Sequence, residues 1–262
     1  MDILKESGLY GLTVQQLLDT ILKFDGKTLI FFDTETMGLN PEAEEIQLTE
    51  VAAIAFEGST FKEVGQFHFK VKLGEKTRQF IKSPPPPKNA GEKSPADLLR
   101  MTRYGERNAE YVAEKEILQK FADFVNKYPN PVLIAHNAGF DMRFINVRGK
   151  RLGVKFKRTE VLDTKKIAGL FFVPVLKTIQ DKTMLDKLLV KKGITSVSLG
   201  KLAPALSVNV DNWHSAFADV ASMIGVLKAI IEYLKSHKDV DISKEQGKAI
   251  KNDLWFKQHG TK

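Results

Sequence analysis

Cysteine is absent from the 262 residues. That excludes a disulfide framework and a thiolate zinc site, and it leaves carboxylate, histidine and water as metal ligands. Long apolar runs are missing too. The longest, residues 167–176, is interrupted by Pro174 and falls short of the roughly 20 residues of a bilayer crossing. The opening MDILKESGLYG has neither the basic start nor the apolar core of a secretory signal. A cytoplasmic protein without membrane contact is the expectation. Wholesale disorder is excluded as well, because hydrophobic residues at 43% and charged residues at 27% suffice for a folded core.

Acids are fewer than bases, 32 against 40, for a net charge of +8. From Arg148 to Lys201 there are fourteen Lys or Arg and only four Asp or Glu. Arg148, Lys150, Arg151, Lys155, Lys157 and Arg158 fall together with no acid between them. Such a run is either a solvated loop or a strip that follows phosphates. Asp33 to Glu50 is the reverse, with six acids and no Lys or Arg. An acidic pocket beside a basic strip suits a metal-dependent enzyme acting on a polyanion.

Hydrophobic spacing predicts a helical segment over 1–26 and a short buried strand over 27–33. Residues 46–56 and 61–73 read as alternating, paired strands with a turn at Glu57-Gly58-Ser59. The stretch SPPPPKNAGEKSP, residues 83–95, reads as an extended surface loop. An amphipathic helix is predicted over 111–128, a buried strand over 131–136, a helix over 139–148 and a strand over 160–163. Helices are predicted over 164–170, 178–191, 198–206 and 214–234, followed by a polar tail. This order indicates one mixed α/β domain.

Three short motifs carry chemistry. Asp33-Thr34-Glu35 ends the first strand, where residues i and i+2 share a face and their like charges repel unless a cation intervenes. Taken alone, this is also what a turn with polar caps looks like. His136-Asn137-Ala138-Gly139-Phe140-Asp141 follows the second buried strand, with a sharp turn expected at Gly139. Asp141 there is a helix cap or a catalytic acid. Trp213-His214-Ser215-Ala216-Phe217-Ala218-Asp219 places a histidine at or before a helix start and an acid one turn inside.

The order DxE, HNxxFD, HxxxxD resembles that of the DEDDh 3′–5′ exonucleases of the ribonuclease H-like superfamily. That family includes proofreading subunits of DNA polymerases, ribonuclease T and oligoribonuclease. The stretches FFDTETMGL, VLIAHNAGFDMRF and SLGKLAPALSVNVDNWHSAFADVASMIGVL carry the resemblance, which spans residues 27–235. It implies an α/β fold with a mixed central sheet flanked by helices. It also implies Asp33, Glu35, Asp141 and Asp219 as the four metal-holding acids, and His214 as the catalytic histidine. The sister group carries tyrosine four residues before the last acid, where this chain has Ser215. The implied cofactors are two divalent ions, Mg²⁺ or Mn²⁺, which hard carboxylate oxygens suit and which favour in-line phosphodiester hydrolysis. By the same resemblance, Asp33 bridges the two ions, Glu35 and Asp219 complete the nucleophile-side ion, and Asp141 supports the second through water. His214 accepts the proton of the attacking water. Thr34, Thr36, Met37, Gly38 and Leu39 are expected around the terminal nucleotide, with Leu39 as a wedge against the base. Asn137 and Phe140 are expected at the substrate, and Arg151, Lys155 and Lys157 on phosphates further along. Glu50 is expected to support the site and Asp163 to cap a helix.

Residues 1–26 are read as an N-terminal extension, 27–235 as the exonuclease domain with 83–95 as an insertion, and 236–262 as a C-terminal tail. The expected activity releases nucleoside 5′-monophosphates from single-stranded 3′ ends, with DNA preferred over RNA. An exoribonuclease of the same fold and a non-catalytic nucleic-acid-binding module are the alternatives. The Asp253-Leu254-Trp255-Phe256 cluster of the tail either folds back onto the domain or docks a replication or repair partner.

Overall fold

Among the described residues of the computed structural model, six segments form strands. Strand β1 is Thr28–Thr36, β2 Leu48–Glu57, β3 Glu63–Lys72, β4 Tyr111–Ala113, β5 Pro131–Ala135 and β6 Glu160–Asp163. They build one sheet in the order β4-β3-β2-β1-β5-β6. β1, β5 and β6 run parallel, and β2 is antiparallel to both β1 and β3. The C-terminal ends of β1, β5 and β6 therefore share one edge, the edge where ligands bind in open α/β sheets. The structure describes residues 6–84, 93–101, 104–105, 110–190, 194–209 and 215–259, with residues 6, 7 and 253–259 as backbone only.

The helices are α1 (Val14–Gln16), α2 (Glu75–Lys82), α3 (Pro95–Met101), α4 (Glu114–Asn126), α5 (Ala138–Leu152), α6 (Thr164–Ile167), α7 (Val173–Thr178), α8 (Lys182–Leu188), α9 (Leu199–Ala205), α10 (Ala216–Ser236) and α11 (Ser243–His259). A π-helical turn, Ala168–Phe172, joins α6 to α7. Side chains alternate across β1, so Leu29 and Phe31 enter one core while Ile30 and Phe32 enter the other. On the first face lie α10 and the α6–α7 run, with Val220, Met223, Leu227, Phe171 and Phe172. The second face is covered by α4 and α5, with Ile117, Phe121, Phe144 and Ile145. Among the described residues no helix is long and apolar enough to cross a membrane.

Several expectations are corrected. Strand β1 continues through the DxE motif to Thr36 rather than ending at Asp33. β2 does not alternate, because helices cover both its faces and all of it but Glu57 is buried. The helix expected from 111 begins only at Glu114. Tyr111–Ala113 pairs in parallel with β3 as an edge strand. Pro174 does not break the 167–176 run, since the helix passes it through the π turn. α2 and α3 form where spacing predicted no element, apart from Pro95 at the end of the expected loop, and α11 occupies the segment read as a tail. Of the proline-rich loop, residues 85–92 lie outside the described residues.

The two chain ends pack onto the same first core. Leu9, Val14, Leu17, Leu22, Phe24 and Ile242 are all buried there. One side chain ties the ends together. Pro174 has no N–H for the carbonyl four residues back, that of Leu170. The buried amide of Gln246, on α11, donates to that oxygen at 3.3 Å and to the Leu12 carbonyl at 3.2 Å.

Candidate active site

Asp33 and Glu35 share the β1 face of Leu29 and Phe31, toward α10. Asp219 is in the first turn of α10, which Ser215 starts as N-cap by accepting a hydrogen bond from the Ala218 amide at 3.2 Å. One carboxylate oxygen each from Asp33, Glu35 and Asp219 lies within 4.8 Å of the others. The fourth acid arrives from the opposite face. Asp141, in the first turn of α5, is buried and accepts from Thr34 twice at one oxygen, from the amide at 3.1 Å and from the hydroxyl at 2.7 Å. The turn before α5 is made by Asn137, which is left-handed at φ 76°, and not by Gly139, which lies inside the helix. Asp141 is therefore not the cap of its helix.

Such crowding makes ionisation unfavourable. Burial, with Asp141, Glu35, Asp219 and Glu50 around it, holds Asp33 well above the ordinary carboxylate range. Burial and the charges of Asp219 and Glu50 push Glu35 up to about 8, against the opposing pull of Lys70. Asp141 is raised to about 7 by burial despite its hydrogen bonds from Thr34. Burial, then Glu50, raises Asp219 to about 6. Oxygens of Asp219 and Glu50 are buried with no hydrogen-bond partner. Clustered hard oxygens, mutual repulsion and unsatisfied lone pairs are what a divalent cation relieves, so the donor set fits Mg²⁺ or Mn²⁺.

Glu50 lies opposite Glu35 in the β1–β2 register. It is almost fully buried, with His68 Nε2 at 2.8 Å from one oxygen and Lys70 Nζ at 3.7 Å from the other. His68 also rests on the Phe217 ring of α10, centroids 5.4 Å apart. Sequence reasoning flagged Glu50 but missed His68 and Lys70. The only signal for these two is cross-strand pairing, Glu50 with Lys70, which becomes visible once β2 and β3 are in register.

The remaining expected residues divide. Thr34 is buried against Asp141, so its hydroxyl holds the acid in place. Thr36 donates its hydroxyl to the Gly38 carbonyl at 2.7 Å, and a Cβ at Gly38 would press on Ile46. Met37 is 1% exposed, with its side chain packed in the second core. Leu39 is 80% exposed on the same loop. Asn137 is exposed, and its amide donates to Asp163, which also caps α6. Phe140 is half-buried against Phe144. Arg148 does not belong to the basic strip, because it is buried in a bidentate pair with Glu114 and holds the Ala43 carbonyl. Arg151 is exposed and donates to the Glu42 carbonyl. Lys155 and Lys157 are exposed in the loop entering β6 at its N-terminal end, the sheet end opposite the carboxylates. His214 lies outside the described residues.

Residues 25–180 match the model of the family described as DNA polymerase family B, exonuclease domain. A DNA polymerase III PolC-type of Bacillus cereus is 28% identical over 231 residues, covering 86% of this chain and 13% of the polymerase. That of Oceanobacillus iheyensis is 31% identical over 150 residues, covering 57% of this chain and 9% of the polymerase. The chain thus spans a small part of the length of these relatives. Exonuclease I of E. coli, solved in complex with a dT13 oligonucleotide, superposes with a TM-score of 0.59 at 17% identity, covering 80% of this chain and 42% of that one. The last likeness is one of fold.

Proposed function

Because this chain belongs to the family of DNA polymerase family B exonuclease domains, and with it to the DEDD-type 3′–5′ exonucleases of the ribonuclease H-like superfamily, we propose that it shortens single-stranded DNA from the 3′ end by metal-dependent hydrolysis, releasing nucleoside 5′-monophosphates. The observation that carries this reading is the meeting of Asp33, Glu35 and Asp219 oxygens within 4.8 Å, with Asp141 held beside them by Thr34. DNA is chosen over RNA because the relatives are DNA polymerases and exonuclease I was solved on deoxyoligonucleotides. In this reading the chain works beside a replicative polymerase.

Asp33, Glu35, Asp141 and Asp219 would hold two divalent ions, Mg²⁺ or Mn²⁺. Bound there, such ions supply charge relief on the leaving 3′-oxygen and acidify a water. The protein's own part is placement. β1 orients Asp33 and Glu35, Ser215 starts the helix that brings Asp219, and Thr34 fixes Asp141. Glu50, steadied by His68 and Lys70, backs the cluster from β2. His214, five residues before Asp219, is the general base. Leu39 is free to rest against the terminal base.

The test compares 3′-labelled single-stranded DNA, single-stranded RNA and duplex DNA with Mg²⁺, Mn²⁺ or EDTA. Metal-dependent release of deoxynucleoside monophosphates, fastest on single-stranded DNA, is expected. Faster turnover of RNA would overturn the substrate assignment, and absence of release from all three would overturn the activity.

A further inference from the structure

Beyond the carboxylates, the same sheet edge carries a second concavity. A cleft of about 220 Å³ opens where β5 and β6 end. Its polar side is Asn137, Asp163, Lys165 and Lys166, and its apolar side is Leu170, Val197 and Ala249. None of the four acids lines it. β6 is two strands from β1, so the cleft lies on the order of 10 Å along the edge from Asp33.

The walls of this cleft are built. His136 bridges them, with Nδ1 2.9 Å from the Thr164 hydroxyl and Nε2 2.9 Å from the Val197 carbonyl. Val197 is thereby fastened to the end of β5. Ala249 belongs to α11, which Gln246 ties to Leu170 one turn away. Lys165 Nζ stands 3.4 Å from the Asn137 side-chain oxygen at the mouth. The one acid in the lining, Asp163, is buried, and one of its oxygens already accepts from the backbone amides of Asn137, Lys165 and Lys166. Two cationic side chains thus line the opening beside an aliphatic wall. A cationic side facing an aliphatic side suits one nucleotide: the phosphate meets the lysines, and the base packs against Val197 and Leu170.

We propose that this cleft is a subsite for a nucleotide upstream of the scissile bond. It rests on the reading of the chain as a single-strand 3′–5′ exonuclease, and it gives α11 a part in substrate binding. Its distance from Asp33 assigns it a phosphate further along the strand than the one hydrolysed. The subsite lengthens the footprint, so it raises affinity for oligonucleotides and leaves a mononucleotide ester untouched.

Two variants test it from opposite sides, K165Q/K166Q removing the charge and A249W filling the cleft. Each is assayed on the p-nitrophenyl ester of thymidine 5′-monophosphate, which fills only the terminal site, and on fluorescent dT10, bound in Ca²⁺ and followed by anisotropy. The expected result is ester turnover within about twofold of wild type and dT10 affinity down about tenfold in both variants. For K165Q/K166Q the salt dependence also flattens, by about 0.7 in log–log slope for each phosphate that is no longer neutralised. Unchanged dT10 binding in K165Q/K166Q overturns the subsite. Equal losses on ester and dT10 overturn it too, because the cleft is then part of the terminal site. Wild-type protein that hydrolyses neither substrate refutes the exonuclease reading itself, and the subsite falls with it.

Discussion

Asp33 stands among carboxylates that all disfavour its ionised form. Removing one of them costs chemistry and relieves repulsion. Asp33→Asn and Asp219→Ala should each abolish hydrolysis, while their metal-free melting temperatures at pH 8 equal or exceed that of the wild type. Turnover assays beside thermal denaturation in EDTA check both halves, and retained turnover in a folded variant would remove these acids from the site. His214→Ala should lose about 10²–10⁴-fold in rate, the range for a general base, yet bind metal as before. Calorimetric Mn²⁺ titration decides that second half, because a histidine acting as ligand would lower affinity instead. Thr34 shows how narrow the margin is at this scale, since the residue between the two acids of the DxE motif on β1 holds a third acid from the helix α5.

Among elements, the joint between the π turn, α7 and α11 is the most exposed to test. Pro174 leaves the Leu170 carbonyl without its helical donor, and Gln246 supplies one while also holding Leu12. Gln246→Leu should destabilise the protein by about 1–3 kcal/mol, the cost of leaving buried carbonyls unpaired. Urea denaturation measures this, and a change below a few tenths of a kcal/mol would show that water serves the same oxygens. Truncation after Ser236 should lower the melting temperature further, because it also strips Ile242 from the core. The α4–α5 contact is of another kind: Arg148 and Glu114 form a buried, bidentate pair that also fastens the loop following β1.

For the whole molecule, the raised carboxyls make stability depend on pH and metal together. A carboxyl whose folded pKa exceeds its unfolded value stabilises the fold below the unfolded value, near 4. That contribution is lost as pH rises through the folded value. Asp219 at about 6, Asp141 at about 7 and Glu35 at about 8 place the loss between pH 5 and 8. The melting temperature in EDTA should therefore fall across that window, and Mn²⁺ should restore it most at pH 8. A metal-free protein equally stable at pH 5 and 8 would contradict the crowding of the site. The net charge of +8 acts at longer range, drawing a polyanion toward a site that is itself acidic.

The residues proposed to carry the chemistry were legible in the chain as three short motifs, and their roles came from the resemblance that the order of those motifs carries, not from spacing alone. The DxE acids share a strand face by period two, and each motif was read where an element begins or ends. What only tertiary structure decided is whatever depends on two distant segments meeting. Met37 reads like a substrate contact beside Gly38 and Leu39, but burial on the second face makes it core. Arg148 reads as part of a basic strip, yet a carboxylate 34 residues away claims it. Lys70 looks like an ordinary strand residue until the register with β2 sets it opposite Glu50, and His68, paired with Ala52, reaches the same carboxylate from two residues away. The terminal segments lack motif signal, and nothing local in 1–26 or 236–262 tells that a single glutamine amide will bridge them. Spacing along a chain records which side chains share a face. Which faces then close on each other is settled by packing, where burial and unpaired polar groups choose the partner.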